Sequence, residues 1–105
     1  MRVIRLDPAA LGASRAAFAA ALRAEGIPIG EGYVAPLYRL PIYRRRAAPL
    51  GHGEVDYGDG ICPVVERLHE RELLSHPLVH ASMQDDDVQD TIDAFVKVHQ
   101  RRHEL

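Results

Sequence analysis

Short β-branched runs alternate with helical periodicities along this chain. Val3-Ile4-Arg5-Leu6, closed by the turn signal Asp7-Pro8, predicts a first strand. An alanine-rich segment follows, with Ser14 as a cap and Pro8 allowing an earlier start. It places Leu11, Phe18 and Leu22 on one helical face and stops at Gly26, a residue suited to the left-handed conformation at a helix end. Ile27-Pro28-Ile29-Gly30 reads as extended, and Pro28 suits an edge strand. Cys62-Pro63 opens a second helix, with Val64, Val65 and Leu68 expected toward the core and Glu66, Arg67, Glu70 and Arg71 toward water. Leu73 to Val79 reads as extended, interrupted by Pro77. In the last helix Val88, Ile92, Phe95, Val96 and His99 form an apolar stripe. Asp85, Asp86 and Asp87 sit at its positive end, and Lys97, Arg101 and Arg102 at its negative end.

Between the second extended run and the second helix, no period holds. Residues 31–60 carry Gly32, Pro36, Pro41, Pro49, Gly51, Gly53, Gly58 and Gly60 and all four tyrosines, Tyr33, Tyr38, Tyr43 and Tyr57. A long loop of this kind in a small domain is commonly functional or an interaction segment. The order β-α-β-loop-α-β-α predicts one α+β domain over residues 1–105: a small three-stranded sheet with about three helices packed on one face.

Composition narrows the class. At 105 residues, 47% hydrophobic and 27% charged, the chain has enough apolar surface for one modest core and too little length for a separate cofactor domain. No apolar run has the roughly 18 residues of a membrane span, and the N-terminus lacks the pattern of a signal peptide. Cys62 is the single cysteine, which excludes an internal disulfide and suits a reducing, cytoplasmic compartment. The net charge is −2, but residues 1–50 set eight Arg against Asp7, Glu25 and Glu31, whereas residues 51–105 set five bases against twelve acids. A nucleic-acid binder is more often basic overall, so neither a nucleic acid nor a membrane is the expected partner.

Candidate chemistry is sparse. His76 and His80 straddle Pro77, and His99 and His103 lie at a chain end with no evident third ligand, so no metal site is expected. Asp85-Asp86-Asp87, with Asp90 and Asp93, splay around a helix and suit its N-terminus better than a cation. Asp56-Tyr57-Gly58-Asp59-Gly60 lacks the later glutamate of a calcium loop, and Gly51-His52-Gly53 is too short for a phosphate cradle. Cys62 at a helix start suits a buried or capping thiol more than a nucleophile. Arg39, Arg44, Arg45 and Arg46, interleaved with Tyr38 and Tyr43, suit either a phosphate or nucleotide site or a solvated basic loop.

A resemblance sharpens the reading of that loop. Ala24-Glu25-Gly26-Ile27-Pro28, Tyr33 and Pro36-Leu37-Tyr38-Arg39-Leu40-Pro41-Ile42-Tyr43 resemble the C-terminal domain of the DegT/DnrJ/StrS aminotransferases. Cys62-Pro63-Val64-Val65-Glu66-Arg67-Leu68, Leu73-Leu74-Ser75-His76-Pro77-Leu78, and Asp87-Val88, Ile92 and Ala94-Phe95 to Val98 continue it in the same order. Tyr38 stands where that family often has histidine, Val65 where it has alanine, and His76 where it has leucine. The resemblance implies the small domain of a fold-type I, pyridoxal-phosphate-dependent enzyme that aminates a keto sugar of a nucleotide sugar, or a cyclitol. It implies Tyr33, Tyr38 and Arg39 as substrate-binding residues and no catalytic residue in this chain. It also implies that the cofactor is held by a large partner domain or subunit carrying the Schiff-base lysine, in an enzyme that could be a homodimer. Lys97, off the apolar stripe, is not that lysine. The alternative expectation is a free-standing, non-enzymatic binding or assembly module derived from such a domain.

Overall fold

A computed structural model describes residues 1–44 and 57–105 of the chain. Three strands, β1 (Arg2–Arg5), β2 (Gly30–Glu31) and β3 (Leu73–His76), form one antiparallel sheet in the order β1-β3-β2. Arg2 faces His76 and Ile4 faces Leu74 across one ladder; Gly30 faces Ser75 across the other. The fold is α+β, and the Pro28 segment feeds an edge strand as its sequence predicts.

Five helices accompany the sheet among the described residues: α1 (Pro8–Leu11), α2 (Arg15–Ala24), α3 (Pro41–Arg44), α4 (Pro63–Arg67) and α5 (Asp85–Gln100). The alanine-rich segment is split in two. Asp7 Oδ1 accepts hydrogen bonds from the amides of Ala9 and Ala10 and caps α1, which closes at Gly12; Ser14 Oγ then accepts from Ala17 and caps α2. Two competing caps seven residues apart break what one helix could have spanned. At the other end of α2, Gly26 takes φ 87°, its amide bonds Arg23 O at 3.0 Å and the Ile27 amide bonds Leu22 O at 3.0 Å. This paired closure satisfies two terminal carbonyls and brings Ile27 onto Leu22 in the core.

The core joins Leu6, Leu11, Phe18, Ala19, Leu22, Ile27, Ile29, Leu74 and Val98, with Ile4, Ala94 and Phe95 packed against it. Leu22 and Leu74 are fully buried, and each such burial stabilises the fold by about 1.5–3 kcal/mol. Alternation along β3 turns Leu74 and His76 to this core and leaves Leu73 and Ser75 on the other face.

Three expectations need correction. First, α5 has the predicted span, but its buried residues are Thr91 and Val98, while Ile92 and Val96 are exposed. The apolar band is wider than the contact, and packing against α2 selects its other edge. Second, Val64 and Val65 of α4 are exposed and Glu66 is half-buried, so this helix turns its polar face inward. Third, residues 31–44 are not structureless: Leu37–Arg39 form a 3₁₀ turn and Pro41–Arg44 form α3. Arg45, Arg46, Gly51-His52-Gly53 and Asp56 lie outside the described residues.

Candidate functional site

Tyr38 and Arg39 sit on the 3₁₀ turn as neighbours in sequence, and each meets an acid from the 59–70 segment. Pro36 sets the turn: its backbone at φ −47° and ψ 133° is extended, and its carbonyl accepts from the Arg39 amide at 2.8 Å. Tyr38 is buried outside the main core. Its hydroxyl donates to Glu66 Oε1, an oxygen that also accepts from the Gly60 amide at 2.6 Å. Beside it, Arg39 Nε donates to Asp59 Oδ1 at 2.8 Å and Arg39 Nη2 donates to Glu70 Oε1 at 2.8 Å. Arg44 reaches the same Asp59 oxygen at 3.3 Å, and the Tyr43 and Tyr57 rings lie 5.9 Å apart.

The electrostatics follow from these contacts. Burial, reinforced by the hydrogen bond to the Glu66 carboxylate, pushes the Tyr38 phenol up to about 12. The same hydrogen bond, with that from Gly60, holds Glu66 below the usual carboxylate range. The Glu70 and Asp59 carboxylates hold the Arg39 guanidinium charged well above its ordinary value. Two carboxylates with two fixed donors each can orient a tyrosine and an arginine; proton transfer near neutral pH is not what this cluster is built for.

The structure therefore brings Tyr38 and Arg39 together, and Tyr33, just after Gly32, is 59% exposed. Apolar periodicity turns the valines of α4 inward and so leaves Glu66 and Glu70 off the list of sequence candidates. Their spacing carried the signal: acids four residues apart share a helix face, and an adjacent Tyr-Arg pair can meet both. A buried acid, Glu72, lies beyond the sequence reading as well. Glu72 closes the π-helical turn Leu68–Glu72 and is held by Arg5 Nε at 2.8 Å and Arg67 Nε at 2.9 Å, tying β1 to the end of α4.

The remaining candidates are separated. His76 is buried in the core and His80 is exposed, its Nδ1 within 2.9 Å of Ser82 Oγ. His103 lies past α5 in the 3₁₀ turn Arg102–Glu104, 3.7 Å from Glu104. Among the described residues no three or more His, Cys, Asp or Glu side chains gather as a metal site, and no helix is long and apolar enough to cross a membrane. Lys97 does not suit the covalent holding of pyridoxal phosphate. It is the chain's single lysine, 52% exposed and paired with Glu25 at 2.7 Å, whereas a covalently held cofactor needs a lysine desolvated in a pocket.

Compared with protein-family models, with curated proteins and with solved structures, the chain matches none.

Proposed function

We propose that this chain is the small C-terminal domain of a pyridoxal-phosphate-dependent aminotransferase acting on a keto sugar of a nucleotide sugar, or on a cyclitol, and that it has no activity alone. The observation that carries the reading is the apolar side chains exposed in the segments that form the Tyr38–Arg39–Glu66 cluster: Leu37, Ile42, Ile61, Val64 and Val65. A small domain rarely displays so much apolar surface to water unless something covers it. In this reading a large domain covers it, supplies the lysine and the cofactor, and works in the cytosol.

Within that assembly Tyr33 would contact sugar hydroxyls or a ring face and Arg39 would pair with a substrate phosphate, while Tyr38, buried with its hydroxyl on Glu66, would hold the turn that presents them. Asp59 and Glu70 are well enough exposed to exchange Arg39 for such an anion. The test is the mass of the native polypeptide in its source cells, read by immunoblot with an antibody to this domain. A band far above 11.7 kDa is the expected outcome. A band at that mass would refute the reading and leave a free-standing binding module.

A further inference from the structure

Two guanidiniums share one oxygen at the edge of the Tyr38 cluster. Arg39 Nε lies 2.8 Å and Arg44 Nη2 3.3 Å from Asp59 Oδ1. One carboxylate oxygen is a poor match for two such forks, whereas the several oxygens of a phosphoryl group can meet both. Asp59 is also the loosest member of the group: its side chain is 62% exposed, against 21% for Arg39. It and the nearby Glu66 carboxylate repel each other.

The arginines keep their places without it. Arg39 Nη2 remains on Glu70 Oε1 at 2.8 Å, and the Arg39 amide is fixed by the Pro36 carbonyl. Arg44 ends α3, whose Tyr43 ring lies against Tyr57 at 5.9 Å. The Gly60 amide is tied to Glu66, so Asp59 leaves by turning its side chain rather than by moving the backbone. Once it has turned, Arg39 and Arg44 face Glu70, while Glu66 directs its charge at the Tyr38 hydroxyl and the Gly60 amide. One guanidinium is then unmatched, and an incoming phosphoryl group can take it. We propose that Arg39 and Arg44 together form a phosphoryl-binding site and that Asp59 is its built-in competitor, holding the site closed until a phosphate ester displaces it. The proposal rests on the reading of Arg39 as a phosphate ligand and adds to it a second ligand, Arg44, and a device that regulates both.

Calorimetric titration of the 105-residue chain with inorganic pyrophosphate at low ionic strength tests this, with far-UV circular dichroism confirming that each variant stays folded. An exposed ion pair is closed only several-fold more often than open, and removing a like charge from contact adds a similar factor, so Asp59→Asn is expected to bind about tenfold more tightly than the parent. The gain should vanish in D59N/R44Q. Asp86→Asn, which removes an exposed acid at the start of α5, should leave the parent affinity unchanged. Equal binding or no binding by parent and Asp59→Asn, a gain that survives the loss of Arg44, or a gain matched by Asp86→Asn would each overturn the proposal. Its failure and that of the enzyme reading are separable. A heavy native band with no gain in Asp59→Asn removes the competitor alone, whereas a gain in a native chain of 11.7 kDa keeps the site within a free-standing binding module.

Discussion

Acid should weaken this fold through one side chain before its carboxylates titrate. His76 ends the central strand with 6% of its surface exposed. Its ring lies against Phe95 of α5 at 5.8 Å and 52°, and its Nδ1 is buried without a hydrogen-bond partner among the described residues. Burial lowers its pKa, and the positive charges of Arg2, opposite it in the β1 ladder, and of the Met1 amino group lower it further. The folded chain thus binds this proton more weakly than the unfolded chain, where histidine titrates near about 6.5. Above that pH the group costs nothing. As pH falls below it, the unfolded chain gains a proton that the folded one refuses, and stability drops with a limiting slope of about 1.4 kcal/mol per pH unit. The loss ends once pH passes the folded value, so between pH 6.5 and 5 it is at most about 2 kcal/mol. That corresponds to a fall in Tm of up to roughly 8–16 °C for a domain of this size. Glu66 and Glu104, held below the ordinary carboxylate range, contribute only at lower pH. The assay is urea unfolding at several pH values in this window for the parent chain and for His76→Leu, which keeps an apolar side chain against Phe95 and removes the proton. The parent should lose stability where the variant stays flat. Equal declines would refute the assignment, because the other histidines are present in both.

Two further outcomes follow from the Tyr38 cluster and from the turn that precedes it. In an alkaline absorbance titration Tyr38 should ionise only near pH 12; its stabilising contribution is complete below about pH 10 and lost as pH rises toward that value. Tyr38→Phe should remove this last step, and a titration unchanged by the substitution would show that the hydroxyl is not held by Glu66. Gly32→Ala should destabilise the fold by about 1–3 kcal/mol, read as a lower urea midpoint. Gly32 has φ 71°, and a Cβ there would lie 2.9 Å from the His69 carbonyl oxygen. An unchanged midpoint would show that the turn leading to Tyr33 yields easily.

The difference between what this sequence discloses and what it hides comes down to which partner each face meets. Termini are local, and they were legible: Ser14 caps α2, Gly26 closes it and Pro77 ends β3, all through bonds or clashes within a few residues. Helix faces are not local. The valines of α4 and the Ile92–Val96 strip of α5 are as apolar as the residues that do enter the core, so hydrophobic periodicity alone assigns them to it. The choice was made by long-range polar contacts. Glu66 is turned inward by the Tyr38 hydroxyl, 28 residues away, and by the Gly60 amide. Arg15 Nη1 donates to the His69 carbonyl at 2.6 Å, across 54 residues, and anchors the start of α2 to the turn after α4. An unsatisfied buried carboxylate or amide costs more than an exposed valine, so the polar network sets the rotation of α4 and the valines follow outward. The apolar side chains thus left facing water are the surface on which the proposed large domain would pack, and covering them would add the stabilisation that this chain forgoes alone.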